Sequence, residues 1–277
     1  MAEENRQIKS KARVRAHGEV FTAPREVNAM LDLVKDETER IDATFLEPAC
    51  GDGNFLDEVL RRKLAVCRRR YGRSAADYEK FSFLACTTLY GVDILADNVA
   101  RCRERLFARW EGGFAASPRG GADAPPAIPD SSLAKPGFSP PRGGADAPPA
   151  KPGLPSSGFH DRVARAVRFV FERNILLGNA LSMKRVDERQ NDLDEPLVFT
   201  EWKFVSGDKL ARAEYRFDVL LEKGAAKKGT TAEMTFDFFG GASAAVNWML
   251  DPDDRGRMIP APSKSYPLID YWRLGDE

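Results

Sequence analysis

The chain has 277 residues and an apolar share of 43%, enough for one α/β domain with an appendage or for two small domains. Lys and Arg number 42, as do Asp and Glu, so no overall charge draws the protein to nucleic acid or to a membrane surface. Four cysteines without a C-x-x-C pair, and no apolar run near the roughly 18 residues of a membrane span, predict a cytoplasmic protein with reduced thiols, no metal site and no membrane segment.

The chain opens with a charged segment that leads into a helix. Residues 1–16 are polar and charged, which predicts a poorly ordered lead-in. Apolar residues then recur at helical spacing and predict a helix over about residues 24–40. Thr22 can cap this helix, and Pro24 suits its first turn.

Strands and helices alternate after this helix. The run "ATFLEP" predicts a short buried strand that ends at Glu47, and residues 54–70 predict a helix. A second strand is predicted over residues 88–93, followed by a helix over "LADNVARCRERLFARW". This alternation is typical of a parallel sheet with helical crossovers.

The pattern stops in a segment rich in proline and glycine. Residues 112–159 hold 11 of the 18 prolines, and the decapeptide PRGGADAPPA occurs there twice. Such a composition buries too little apolar surface to offset the entropy of ordering, so we predict a low-complexity disordered insertion. A lengthened surface loop is the simpler interpretation, and a binding role for the repeat is the alternative.

The second half of the chain resumes the pattern and then departs from it. Residues 161–173 predict a helix and "NILLGN" a strand, so residues 17–111 and 160–222 form one predicted domain. The strand-like runs "PLVFTEWKFV" and "AEYRFDVLLE" form either a hairpin or, for the second, another strand of the sheet. Residues 223–277 are a predicted C-terminal extension that closes with "YPLIDYWRL", a short strand or docking segment.

The stretch "FLEPACGDGNFL" has the features of a pocket for S-adenosylmethionine. Gly51 and Gly53 leave the strand-to-helix turn free of side chains where a ligand approaches closely. Glu47 or Asp52 can supply negative potential for the ammonium and the sulfonium, and Asp93 can accept the ribose hydroxyls. These residues fall at predicted strand ends, where open α/β sheets bind ligands.

A nucleotide-binding enzyme is the competing interpretation. The pattern G-x-G-x-x-G is incomplete, because Leu56 stands in place of the third glycine. Asp93 follows Gly53 by 40 residues, against roughly 20 in the dinucleotide fingerprint. The chain also lacks G-x-x-x-x-G-K-[ST], so both nucleotide classes are disfavoured.

Four ordered segments resemble the amino-terminal half of restriction–modification DNA adenine-N6 methyltransferases. They are "HGEVFTAPREVNAMLDLV", "FLEPACGDGNFL", "LYGVDILADNV" and "NILLGNAL". The resemblance implies a Rossmann-like α/β sandwich with a mostly parallel sheet, S-adenosylmethionine as cofactor, and double-stranded DNA as a partner.

The resemblance also implies cofactor contacts, at Phe21, Thr22, Glu47, Ala49, Gly51, Gly53, Asp93, Ile94, Asn179 and Ala180. The first two match the segment that folds over the methionine end, and the next four match the glycine motif. Asp93 and Ile94 match the ribose acid and an apolar residue beside the adenine. Asn179, with Ala180 beside it, matches a polar position near the adenine amino group.

Several of these residues also have a structural explanation. Phe21 can be a core residue that clamps the first helix. Glu47 can cap the following helix or pair with an arginine, and Asn179 can cap a helix or a turn. Asp52 suits the chemistry of a turn more than a ligand contact.

The catalytic motif of the resembled family, [Asp/Asn/Ser]-Pro-Pro-aromatic, is not found at its expected place, so no catalytic residue is assigned. The nearest string, "SPPR" at 139–142, lies in the insertion, and "YRFDVLLEKG" lacks the motif where it should follow the strand. The first hypothesis is a DNA adenine-N6 methyltransferase component. The alternative is an incomplete cofactor-binding subunit that needs a second methyltransferase or specificity subunit. A methyltransferase for another substrate is the third.

Basic residues cluster in "RRKLAVCRRR" at 61–70. They can contact phosphates. A solvated helix face is the commoner meaning of such a run.

Overall fold

The computed structural model describes residues 13–15, 19–115, 156–221, 248–250 and 258–276. Most of the predicted lead-in lies outside these ranges. So do both decapeptide repeats and "SPPR".

The elements follow one another in the order that their numbers give. The helices are α1 (Pro24–Asp32), α2 (Lys35–Thr38), α3 (Asn54–Tyr71), α4 (Ala75–Thr87), α5 (Ala96–Ala115), α6 (Ser156–Asn174) and α7 (Phe217–Leu221), with a 3₁₀ helix at Tyr271–Asp276. The strands are β1 (Phe45–Glu47), β2 (Leu89–Asp93), β3 (Ile175–Leu177), β4 (Lys184–Val186), β5 (Asp192–Pro196), β6 (Val198–Ser206), β7 (Lys209–Arg216), β8 (Trp248–Leu250), β9 (Met258–Pro260), β10 (Lys264–Ser265) and β11 (Ile269–Asp270).

The predicted α/β class with a parallel sheet is confirmed. Strands β1, β2 and β3 lie in that order and are parallel, with Glu47 opposite Gly91 and Asp93 opposite Leu177. Helices α3 to α6 are the crossovers, and the carboxyl ends of all three strands therefore meet at one edge of the sheet.

Different elements cover the two faces of this sheet: the main helical core covers one, and β6 and α7 cover the other. Side chains alternate along β2, so Leu89 joins the main core with the helices, while Tyr90 and Val92 face the other way. On that second face Phe199 of β6 and Phe217 of α7 pack against Val92. The Tyr90 hydroxyl also donates to the carbonyl oxygen of Thr200 at 2.8 Å.

A hairpin of β6 and β7 forms the centre of an antiparallel sheet, as the first of the two predicted alternatives requires. Strands β10 and β11 both pair with β7, which makes part of the C-terminal extension a component of the fold. Tyr271 and Leu274 of the 3₁₀ helix are buried in the main core. The closing segment therefore supplies both a short strand and a docked turn.

The second strand-like run ends earlier than its sequence suggests. Residues after Arg216 form helix α7, in which Asp218 accepts the backbone N–H of Val219 and binds the Arg216 guanidinium. Phe217 is buried, whereas Leu220 and Leu221 are exposed. Burial of one aromatic residue in a short helix replaces the apolar strand that the run predicts.

The predicted first helix is interrupted. Helix α1 ends at Asp32 and α2 begins at Lys35, and Leu33 between them is 85% exposed. Thr38 of α2 is buried. The prediction that Thr22 caps the helix is wrong, because Ala23 is the N-cap residue and no side chain caps it, while Pro24 does begin the helix.

The helices on either side of the insertion are longer than predicted. Helix α5 continues through Ala115, and α6 already begins at Ser156. Residues 112–115 and 156–159 are thus helical backbone, and the rest of the insertion lies outside the described chain.

Lys63 of the basic stretch is buried in the core. Its ammonium donates to the carbonyl oxygens of Ile41, at 3.2 Å, and Ala43, and to the Thr88 hydroxyl at 2.6 Å. These acceptors lie just before β1 and β2, so Lys63 joins the amino ends of both strands. Burial lowers the pKa of Lys63 to about 7.

A search of the helices in the described part of the chain finds none with the length and apolar character needed to span a bilayer.

Candidate cofactor site

The glycine loop, residues 48–53, connects β1 to α3 in a conformation that glycine favours. Gly51 has φ of +54° and Gly53 has φ of +91°, both in the left-handed region. A Cβ atom at Gly53 would lie 2.7 Å from the Cys102 Sγ atom of α5. Both conformation and close packing therefore require glycine at position 53.

Two hydrogen bonds attach the loop to the end of β2. The Cys50 N–H donates to the Val92 carbonyl oxygen at 2.9 Å. The Gly51 N–H donates to Asp93 Oδ2, also at 2.9 Å. The predicted side-chain-free turn and the predicted ribose acid are consequently in direct contact.

Asp93 is held from both oxygens. Oδ1 accepts the Leu95 N–H at 2.8 Å and the Asn98 side-chain amide at 3.2 Å. Glu47 lies on the same face of the sheet as Asp93, because it is opposite Gly91, two positions earlier on β2. The two acids thus stand at neighbouring tips of parallel strands.

Glu47 is half-buried at the end of β1. Burial raises its pKa, and the hydrogen bond from the Ala49 N–H partly offsets this effect. No salt bridge involves Glu47 among the residues that the structure describes, so pairing with an arginine does not explain it.

Asp52 turns away toward helix α5. Its carboxylate lies 3.5 Å from Arg105 and 3.9 Å from Arg101. Arg105 also donates to Asn54 Oδ1 at 2.5 Å. Of the two acids considered for a cationic ligand, Glu47 is therefore the one without an arginine.

The segment of Phe21 and Thr22 lies against the glycine loop. A Cβ atom at Gly51 would be 3.1 Å from Phe21 Cε1. The Asn54 side-chain amide donates to the Thr22 carbonyl oxygen at 3.1 Å. The aromatic ring therefore closes one side of the loop.

Asn179 and Ala180, after β3, serve mainly local structure. Asn179 Oδ1 accepts the Leu181 N–H at 3.0 Å, and its amide donates to Asp192 at 3.1 Å. Asn179 thus caps its own turn, which is the structural alternative for this residue. Ala180 packs against the core on the second sheet face.

The two remaining predicted residues lie at the rim. Ile94 is half-buried and directly follows Asp93, whereas Ala49 is exposed in the glycine loop. Ala49 contributes its backbone N–H to Glu47.

Glu19 and Arg13, which the sequence pattern does not identify, position Asn98, the amide donor to Asp93. Glu19 accepts the Asn98 side-chain amide at 2.9 Å, and Arg13 binds both Glu19, at 2.5 Å, and Asp97, at 3.0 Å. The residues are about 80 positions apart in the chain, so no local pattern marks them. Arg13 also gives part of the predicted lead-in a defined place.

The thiols do not form a metal site or a disulfide. All four cysteines are free and buried. The hydrogen bond with Cys102, together with burial, raises the pKa of Cys50 well above its usual range. In the described chain no cluster of three or more His, Cys, Asp or Glu side chains could hold a metal ion.

Comparison with known proteins gives no match: no family model, curated protein or solved structure is significantly similar to this chain. The function is therefore argued from its residues and geometry.

Proposed function

We propose that this chain binds S-adenosylmethionine at the carboxyl ends of β1 and β2, as a component of a restriction–modification DNA adenine-N6 methyltransferase. The observation that carries the proposal is the 2.9 Å hydrogen bond from the Gly51 N–H to Asp93. It joins a turn without side chains to an acid at a parallel strand end, where α/β proteins bind nucleoside ligands.

The charge at this edge suits a cationic ligand. Neither Glu47 nor Asp93 forms a salt bridge in the described chain. A sulfonium or ammonium beside Glu47 would offset the cost of burying that carboxylate. A neutral or anionic nucleotide would not offset the cost of burying Glu47.

Asp93 keeps capacity for a ribose. A carboxylate has about four acceptor positions, and the protein uses two on Oδ1 and one on Oδ2. A ribose hydroxyl can therefore bind Oδ2 without displacing Gly51. Phe21 would shield the methionine end from water, and the bound cofactor would supply the methyl group.

The DNA and adenine part of the proposal rests on the sequence resemblance. The glycine loop, Asp93 and Asn179, which belong to three of the resembling segments, lie at or just after the carboxyl ends of the neighbouring strands β1, β2 and β3.

A cofactor-holding subunit that needs a partner is the second candidate. Helix α7 occupies residues 217–221, where the strand that delivers the catalytic motif would be expected. In the described chain β1 pairs with β2 alone, and Leu46 is 42% exposed. A partner could extend the sheet from this edge and supply the catalytic motif.

Calorimetric titration with S-adenosylmethionine tests the cofactor site. We expect Asp93→Asn to weaken binding about ten-fold or more, because hydrogen bonds to a charged group contribute about 1.5–3 kcal/mol. Asp36→Asn is the matched control, since Asp36 is exposed on α2, outside the glycine loop and the strand ends. Equal affinity of wild type and Asp93→Asn, with both folded by circular dichroism, would disprove the proposed contact.

Labelled cofactor and genomic DNA separate the two candidates. Label transferred to DNA by the pure protein supports an autonomous enzyme. Transfer only after a host methyltransferase subunit is added supports the cofactor-holding subunit.

A further inference from the structure

Helices α3 and α5 enclose an arginine-lined groove that cofactor binding does not use. Its volume is about 850 Å³, and five arginines line it. Arg61, Arg68 and Arg69 come from α3, and Arg105 and Arg109 from α5. The balanced charge of the whole chain conceals this local concentration.

The lining residues recur at helical spacing, so they form one row on α3 and a second row on α5 that faces it. Residues 61, 65, 68 and 69 recur at one face of α3, and residues 105, 108, 109 and 112 at one face of α5. Ala65, Ala108 and Gly112 are the small members of the two rows and leave space between the arginines. Small residues between long arginines produce a groove that a backbone can enter.

The buried carboxylate of Asp57 binds both arginines of the α5 row. Asp57 is buried, and its carboxylate binds Arg109 at 2.7 Å and Arg105 at 3.3 Å. Glu58 neutralises Arg61, at 2.7 Å. Asp52 also lies 3.5 Å from Arg105, so three acids face the five arginines and leave an excess of about two positive charges.

Arg68 and Arg69 hold most of the available charge. Arg68 donates to the Gly113 carbonyl oxygen at 2.7 Å, and both side chains are exposed. Within the described residues no carboxylate pairs with either. Guanidinium groups of this kind bind phosphate oxygens through paired hydrogen bonds.

We propose that this groove binds the phosphate backbone of double-stranded DNA without reading its sequence. Arg61 and Arg69 are eight residues apart on α3, about 12 Å, which matches three or four phosphates of one strand. The described residues that line the groove include no aromatic side chain on which a base could stack. The choice of DNA rests on the proposed function, whereas the phosphate chemistry does not.

The groove begins beside the cofactor loop. Arg105, which lines it, also binds Asp52 and Asn54 at the start of α3. DNA held here would therefore pass close to the proposed cofactor while leaving the carboxyl ends of the strands free.

Fluorescence anisotropy with a labelled duplex of about 20 base pairs tests the groove over about 50–200 mM salt. We expect the double variant Arg68→Gln/Arg69→Gln to weaken binding about ten-fold and to reduce the slope of log K against log salt by about two. The control is Arg25→Gln/Arg185→Gln, which removes the same charge from exposed arginines outside the groove. Its affinity should stay within about two-fold of wild type.

Equal weakening by both double variants, an unchanged salt slope, or no binding of wild type at low salt would overturn the proposal. Cofactor titration of the same proteins separates it from the proposed function. Normal cofactor affinity in Arg68→Gln/Arg69→Gln with weakened DNA binding supports the groove. Groove-dependent DNA binding without any cofactor binding would overturn the proposed function alone.

Discussion

The glycine loop after β1 and the hairpin turn after β6 both contain a left-handed glycine, but their surroundings differ. Gly53, with φ of +91°, leaves no room for a Cβ atom beside Cys102. Gly207, with φ of +53°, has open space around it. The loop is thus fixed by packing as well as by conformation, whereas the hairpin turn depends on conformation alone.

The same two regions differ in what they present to a ligand. The loop places its backbone against Asp93 and beside Glu47. The hairpin continues into α7, which offers Phe217 to the core and apolar side chains to solvent. Under the proposed function, the packed, polar strand end would serve to hold the cofactor, whereas α7 occupies the place of the strand that would deliver the catalytic motif.

The largest expected effect tests the packing of the loop. Gly53→Ala should lower the free energy of unfolding by about 2–5 kcal/mol, because left-handed strain and overpacking add. Gly207→Ala should cost only about 1–2 kcal/mol, since strain acts there without a clash. Urea denaturation of the two variants measures the difference. Equal losses would show that the surroundings of the loop do not matter.

The amino ends of β1 and β2 offer a pH test on Lys63. In the unfolded chain the Lys63 ammonium keeps its proton up to about pH 10. In the folded state its pKa is about 7, so it loses that proton at lower pH. The unfolded state therefore binds more protons between these limits, and stability rises with pH there.

We expect wild type to gain up to about 1.4 kcal/mol per pH unit over Lys63→Met between pH 7 and pH 10. Denaturation at several pH values measures this gain. Lys35→Met, at a side chain that is 63% exposed, is the control and should give a flat difference. A flat difference for Lys63→Met as well would mean that the buried ammonium keeps its proton.

The smallest expected effect tests whether the sheet face of Tyr90 is independent of the face that carries Glu47 and Asp93. Tyr90→Phe removes the hydrogen bond to Thr200 and should cost about 1 kcal/mol of stability. Cofactor affinity should remain within about two-fold, because Tyr90 faces away from Glu47 and Asp93. Tyr215→Phe, at an exposed bond to Glu201, is the control for stability. A large loss of cofactor affinity in Tyr90→Phe would contradict the separation of the faces.

Local sequence predicts the elements around the glycine loop well. Strand ends at Glu47 and Asp93 and a helix from Asn54 follow from apolar runs and glycines within a few residues. The parallel order follows from the length of the crossovers. These features depend on neighbours in the chain, which a single sequence displays.

Features that depend on distant contacts could not be predicted. Lys63 looks like one more surface cation, and only the approach of Ile41, Ala43 and Thr88 makes it a core residue. Helix α7 follows a strand-like pattern, and burial of Phe217 decides its conformation. The hydrogen bond from Asn98, a neighbour of Asp93, to Glu19 is equally long-range, since 79 positions separate the two residues.

The burial of all four native thiols makes the protein convenient for site-specific labelling. Cys50 of the glycine loop and Cys102 beside Gly53 are buried, as are Cys67 and Cys86, and all four belong to the main core. A maleimide dye should therefore leave the folded wild type unmodified and attach to a single cysteine introduced on the surface. A dye attached in this way on α3 or α5 would report DNA binding at the proposed groove without replacement of any buried cysteine.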